Sequence, residues 1–237
     1  MILPDQSQPT LKDITCIFFD MDGTLLDSAP GVTSSAAQAL IAVGAQVPPL
    51  DELRRFVGPP MIESFRTVSG LDEPTAKRAI KHYRAAYADH GAEQSSIYAG
   101  IIELLDQLKA AGIPMAVATS KVEDQAERLA QRFGITRHFA NICGASDNEG
   151  RADKKQVIAE LLLRLESQGV DVSNPVMIGD REYDVSGAAA HGIPTIFVSW
   201  GYGDLGEASH AKAIASSPEA LLPMVLNRSR NYEPALI

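Results

Sequence analysis

The chain has 237 residues, enough to bury a full core as one large domain or two small ones. Hydrophobic residues make up 45% of it, as in an ordinary soluble globular protein, and no 18-residue apolar run is present that could cross a membrane as a helix. A formal charge of −9 argues against a basic surface and non-specific nucleic-acid binding, yet leaves room for a small anion at a locally positive site.

Residues 1–13 are polar, contain prolines and read as a lead-in to the first strand. They contain Asp5 and lack a basic-then-apolar signal pattern, so a reduced, cytoplasmic setting is expected. Cys16 and Cys143 show neither metal-ligand spacing nor a disulfide framework, and Cys16 reads as a small core residue.

Residues 14–19 form an apolar run rich in β-branched and aromatic side chains, the signature of a short buried strand. It ends abruptly in Asp20, Met21, Asp22, Gly23 and Thr24. Open parallel sheets place ligand sites at the carboxyl ends of such strands. Two carboxylates about 4 Å apart repel by roughly 4 kcal/mol at an effective dielectric near 20. If both stay ionised, a cation belongs nearby, and an oxygen-preferring divalent ion such as Mg²⁺ is the natural candidate. The same residues are also common turn chemistry, so from the residues alone a solvated turn remains open.

From residue 28 the pattern becomes helical. Val32, Ala36, Ala39, Leu40 and Val43 recur at helical spacing, and Gly44 reads as a stop. Residues 50–56 and 61–68 predict short helices, separated by Phe56-Val57-Gly58-Pro59-Pro60, which cannot be regular helix. A longer helix is predicted from Pro74 to about His90. No strand-like alternation appears between Asp27 and Ser96, so residues 28–96 read as an all-helical insert.

Tyr98-Ala99-Gly100 reads as a hinge, followed by a helix over 101–111. Residues 113–118 are a second apolar strand, ending in Thr119-Ser120-Lys121. These hydroxyls could cap the helix predicted over 123–133, bind an anion at its start, or both. Residues 139–142 predict a short strand, and Asn148, Glu149 and Gly150 a loop. Lys154 and Lys155 open a helix that runs to about Ser167. A lysine in a first turn is disfavoured by a few tenths of a kcal/mol unless an anion is close. Either lysine could equally be a solvated cation.

Residues 176–179 are a third buried strand, followed by Asp180-Arg181-Glu182-Tyr183-Asp184. The i, i+4 spacing would put Asp180 and Asp184 on one helical face, with an N-cap as the alternative for Asp180 and solvation for Glu182. His191 reads as a cation at that helix's C-terminus, residues 193–198 as another strand, and Trp200-Gly201-Tyr202-Gly203 as a loop. A last strand over 212–215, a helix over 217–225 and a loose tail from Asn227 complete the reading.

The alternation of strands and helices predicts an α/β fold with a Rossmann-like parallel sheet core. Asp20-Met21-Asp22-Gly23-Thr24-Leu25 resembles the first motif of the haloacid dehalogenase superfamily, and three further motifs follow in the family's order. Thr119 matches the hydroxyl that holds the transferred phosphoryl group, with Ser120 beside it. The frame R-x-D-K-K-Q-V-I aligns Lys154 with the lysine that screens nucleophile and phosphate, although Lys155 stands where relatives often have proline. G-D-x-x-x-D matches the metal-binding motif, with Asp180 as a ligand and Asp184 as a water-mediated ligand or an orienting group. The resemblance implies a core of residues 1–27 and 97–237 and a helical cap domain of residues 28–96.

It also implies a Mg²⁺-dependent phosphomonoester hydrolase acting on a small phosphorylated substrate. Asp20 would be the nucleophile and Asp22 the acid/base. The metal would be held by Asp20, the Asp22 backbone carbonyl and Asp180, with Asp184 in support. Asp22 argues against a dehalogenase or phosphonatase. The continuation Leu26-Asp27-Ser28, the F-V-G-P-P loop and the string G-D-R-E-Y-D resemble the phosphoglycolate phosphatase and 5′-nucleotidase-like branch. A sugar-phosphate mutase stays open, and a phospho-accepting regulatory domain is disfavoured by the chain's length and helical insert. Arg55, Gly58 and Pro59 are the candidate specificity residues, with Arg55 also readable as a surface cation.

Overall fold

Cys16–Phe19 (β1) is a central strand of a six-stranded sheet, and its alternating side chains feed two cores. The computed structural model describes residues 11, 13–146 and 150–226. Ile17 and Phe19 face one core with the helices Ile101–Ala110 (α5), Glu123–Arg132 (α6) and Pro218–Val225 (α9). Cys16 and Phe18 face the other with Lys154–Ser167 (α7) and Glu182–Ala189 (α8). The result is a three-layer α/β/α sandwich. Each fully buried Phe in it is worth about 1.5–3 kcal/mol of hydrophobic stabilisation.

The remaining strands of this sheet are Met115–Val122 (β4), Asn141–Ala145 (β5), Pro175–Gly179 (β6), Thr195–Val198 (β7) and Ala213–Ala215 (β8). Their order is β5-β4-β1-β6-β7-β8, with every pairing parallel. β1 therefore has β4 on one side and β6 on the other, with Phe19 opposite both Val117 and Ile178. The strand order reverses at β1, the place where such sheets bind ligands. The residues after β1, after β6 and in the outer half of β4 converge there.

Two very short strands, Leu26–Asp27 (β2) and Ser96–Ile97 (β3), pair antiparallel. They bracket the helices Ala29–Ala42 (α1), Leu50–Leu53 (α2), Met61–Thr67 (α3) and Glu73–Asp89 (α4). These helices bury an apolar cluster of their own, including Val32, Leu40, Phe56, Phe65, Tyr83 and Tyr87. Pro74 sits in the first turn of α4, as the sequence predicts, and Asp72 caps the helix by accepting a bond from the Thr75 amide.

Three local expectations change. The predicted 139–142 strand begins at Asn141 instead, because residues 136–138 form a 3₁₀ turn that ends at Phe139. Residues 50–56 are one α-helical turn followed by a 3₁₀ turn. Thr119 and Ser120 do not cap α6; β4 runs on to Val122, which occupies the N-cap position, with a register break between Ala118 and Val122. The tail from Asn227, Asn148, Glu149 and most of the 1–13 lead-in lie outside the described residues. Among the described residues no helix is long and apolar enough to cross a membrane.

Candidate active site

Asp20 and Asp180 sit immediately after adjacent strands β1 and β6, and both are buried. Asp20, Asp180 and Asp184 bring carboxylate oxygens within 4.8 Å of one another. Asp180 does not share a helical face with Asp184. The helix α8 begins only at Glu182, Arg181 is its N-cap, and Asp184 accepts a bond from the Arg181 amide at 3.0 Å. The two carboxylates meet because the chain turns between strand and helix.

Asp180 is fixed from two sides. Thr24 Oγ1 donates to its Oδ1 at 3.2 Å and the Tyr202 amide to its Oδ2 at 2.8 Å. Gly23 adopts φ +84°, and a Cβ there would collide with this carboxylate, as would one at Gly201. Trp200 Nε1 donates to the Thr24 carbonyl at 3.0 Å, so the 200–203 loop clasps the turn after β1. The Tyr202 hydroxyl adds bonds to Asp27 Oδ1 at 2.7 Å and from the Ser28 amide at 2.8 Å.

Lys154 is the buried lysine of the pair, whereas Lys155 is exposed. Asp153 caps α7 in a reciprocal box with Gln156, which aims Lys154, the first helical residue, at the sheet edge. Its Nζ lies 2.8 Å from Asp20 Oδ1 and 2.7 Å from Asp184 Oδ1, and donates to the Ala118 carbonyl at 2.9 Å. Burial pushes Asp20 up to about 6 against the pull of Lys154, with Asp184 and Asp22 adding to the rise. Burial, Asp184 and Asp20 hold Asp180 well above the usual carboxylate range, opposed by the Tyr202 amide. Burial pulls the Lys154 ammonium down, but Asp184 and Asp20 outweigh it and keep it above its ordinary value.

These groups fit a hard divalent cation. Ionising all three carboxylates against one ammonium would leave two negative charges for a cation to neutralise in a buried, all-oxygen donor set. The Asp22 carboxylate is not part of this set. Its Oδ2 pairs with Lys121 Nζ at 3.0 Å, so any contribution of Asp22 to the cation falls to its backbone.

Thr119 is buried within β4, where its Oγ1 accepts a bond from the Lys121 amide at 3.3 Å. Ser120 Oγ is buried without a hydrogen-bond partner among the described residues. Asp22, Ser120 and Lys121 form one wall of a cleft of about 130 Å³ between the sheet edge and the helical segment. The opposite wall includes Phe56, Gly58, Pro59, Ile80, Tyr83 and Arg84. Gly58 and Pro59 thus reach the cleft, whereas Arg55 is exposed and is not among its lining residues.

Lys121 carries no recognisable signal in the sequence beyond its place after the two hydroxyls. Tyr87 and Tyr202 read only as apolar or loop aromatics. Arg151 also lines the cleft, buried and paired with Glu123 at 2.9 Å; only its position just before Lys154 hints at the site.

Comparison with known proteins identifies the family. Residues 17–198 match the family model described as haloacid dehalogenase-like hydrolase. The chain is 48% identical over 187 residues to the tyrosine-protein kinase PtkA of Mycobacterium tuberculosis, covering 79% of this chain and 62% of that one. It thus spans less than two thirds of that relative's length. It is 38% identical over 187 residues to a 5′-nucleotidase of Pseudomonas aeruginosa, covering 79% of this chain and 83% of that one. A crystal structure of a predicted phosphatase from Clostridium acetobutylicum superposes with a TM-score of 0.85 at 36% identity, over 91% of this chain and 99% of that one. The chain belongs to the haloacid dehalogenase-like hydrolase family.

Proposed function

We propose that the protein is a Mg²⁺-dependent phosphomonoester hydrolase that works through an aspartyl-phosphate on Asp20. The observation that carries this reading is Lys154, buried between Asp20 and Asp184 at the edge of the sheet. A buried carboxylate held beside a fixed cation is an oriented nucleophile, and the same cation attracts the phosphoryl group.

Asp20 attacks phosphorus as the bond to the leaving oxygen breaks. Asp22 supplies the proton to that oxygen and then takes one from the water that hydrolyses the acyl phosphate. Thr119, Ser120 and Lys154 bind the phosphoryl oxygens. Asp20, Asp180, Asp184 and the Asp22 backbone would hold Mg²⁺. When bound, the ion would neutralise charge on the carboxylates and the phosphoryl group.

In this reading residues 28–96 are a cap domain and residues 1–27 and 97–237 the core. The β2–β3 pair joins them, and the separate apolar cluster of the helices supports the division. The cleft between the two parts takes the leaving group. Its mixed lining of apolar cap residues with Arg84 and Arg151 suits a small metabolite that is anionic or nucleotide-like. The free, buried Cys16 and Cys143 support a reduced, cytoplasmic setting.

A second reading follows from the relative named a tyrosine-protein kinase. The same aspartyl-phosphate could pass its phosphoryl group to a tyrosine hydroxyl instead of water. The test is phosphate release from phosphoglycolate, 5′-nucleotides, sugar phosphates, pyrophosphate and ATP, with Mg²⁺ and then with chelator. Mg²⁺-dependent release from a monoester that is lost in Asp20→Asn supports hydrolysis. Transfer from ATP to a tyrosine peptide without monoester hydrolysis supports the second reading. Isomerisation of a sugar phosphate without release would make the protein a mutase.

A further inference from the structure

Lys121 is a buried lysine in the outer half of β4 that the mechanism above leaves without a task. Its side chain is 3% exposed, and among the described residues its Nζ makes two polar contacts that join distant parts of the chain. One is the ion pair with Asp22 Oδ2 at 3.0 Å. The other is a hydrogen bond to the hydroxyl of Tyr87 at 3.0 Å, from α4 of the helical segment. The ammonium also lies 4.3 Å from the centroid of the Tyr87 ring, a cation–π distance. Tyr87 itself is fully buried and stacks on Tyr83, with centroids 5.7 Å apart and planes at 24°. Asp22 Oδ1, by contrast, is buried without a hydrogen-bond partner among the described residues.

We propose that Lys121 is a positioning residue for Asp22, set in place by Tyr87 of the helical segment. Lys121 holds one carboxylate oxygen of Asp22 and leaves the other for the leaving oxygen of the substrate. The inference rests on the hydrolase reading and adds a dependence between two parts of the fold. Asp22 is correctly oriented only while α4 packs on β4.

In the step concerned, the Asp20 oxygen–phosphorus bond forms and the bond from phosphorus to the leaving oxygen breaks. The electron pair goes to that oxygen, and the proton on Asp22 Oδ1 follows it. A leaving group that is stable as an anion needs no such proton, whereas an alkoxide does. Misplacing Asp22 must therefore harm alkyl phosphates and spare aryl phosphates with acidic phenols. A lysine that merely supported the fold would harm both alike.

The experiment compares Lys121→Met, Lys121→Arg and Tyr87→Phe with the parent protein in Mg²⁺. The two substrates are an alkyl phosphate and p-nitrophenyl phosphate. Asp22→Asn serves as the reference for complete loss of the acid, and a thermal melt accompanies each variant. Lys121→Met is expected to lower kcat on the alkyl phosphate by about 10²-fold, the usual worth of a placed general acid, with little change on p-nitrophenyl phosphate. Lys121→Arg should recover part of the loss. Tyr87→Phe, which removes only one hydroxyl, should show the same selectivity at smaller size.

Equal losses on the two substrates overturn the proposal. So does a rise in KM with kcat unchanged, which would make Lys121 a substrate-binding group. A parent protein that cleaves neither substrate removes the hydrolase reading and this proposal together. A parent that cleaves both, with selectivity lost only in Asp22→Asn, removes this proposal alone.

Discussion

The Lys154 ammonium stands 2.8 Å from the Asp20 carboxylate, and both side chains are almost fully buried. The pair is the hub of the site, because Lys154 reaches Asp184 and the Ala118 carbonyl as well. One side chain thus ties together the end of β1, the middle of β4 and the first turn of α8.

Replacing Lys154 with Met should therefore affect both stability and catalysis. Loss of one partner from a buried charge cluster costs about 3–5 kcal/mol. Loss of a preorganised cation at a phosphoryl group costs about 10²-fold or more in kcat. Lys155→Ala, at an exposed position one residue away, should stay within about 0.5 kcal/mol of the parent protein with unchanged kcat. Urea denaturation and steady-state kinetics on the two variants check this contrast.

The pH dependence follows from the raised Asp20. Its carboxyl moves from an ordinary 3.8 to about 6, chiefly through burial. A carboxyl with a raised folded-state pKa binds more protons folded than unfolded, so stability falls as pH rises across that interval. The cost is absent below about 4 and fully present above about 6. In chelator, the melting temperature of the parent protein should decline relative to Asp20→Asn between these values and run parallel above them. Asp180, raised in the same direction by burial, strengthens the trend.

Metal addition should reverse that cost. A divalent cation binds ionised carboxylates, so Mg²⁺ competes with the protons that burial retains on Asp20 and Asp180. The rise in melting temperature at saturating Mg²⁺ should be larger at pH 7.5 than at pH 5. It should shrink sharply in Asp180→Asn at both values. Differential scanning fluorimetry across a Mg²⁺ titration measures it without any substrate.

Gly23 gives a backbone prediction. Its φ of +84° costs other residues about 1–2 kcal/mol, and a Cβ would also drive into Asp180. Gly23→Ala should lose at least that stability and, with Asp180 displaced, also lose Mg²⁺ affinity. Gly44→Ala has a positive φ but, among the described residues, no neighbour within 4 Å of its would-be Cβ, so it should lose the backbone term alone and keep Mg²⁺ affinity.

The parts of the site that were legible in the sequence are those that local order encodes. Asp20 and Asp180 follow apolar runs, and such runs become buried strands whose carboxyl ends share one edge. Lys154 opens a helix that the sequence predicts to about Ser167, where the observed helix ends. The Asp180–Asp184 spacing misleads because it presumes a helix that starts at Asp180, whereas two residues of turn come first. Tyr87 and Lys121 stand 34 positions apart, and no periodicity within either helix or strand predicts that they meet. Arg55 shows the opposite limit. A cation beside a loop looked suited to an anionic substrate, but the 3₁₀ turn leaves it exposed while its neighbours Phe56 and Gly58 enter the cleft.

The most direct test of the account is to trap the acyl phosphate on Asp20. The protein would be mixed with Mg²⁺ and its best monoester, quenched with borohydride during turnover, and digested for peptide mass spectrometry. An acyl phosphate is reduced to an alcohol, so the account predicts homoserine at position 20 and an unchanged Asp at positions 22, 180 and 184. Trapping must vanish when substrate is withheld. Product formation at the full rate with Asp20 intact would contradict the covalent route and leave Asp20 as a metal ligand only.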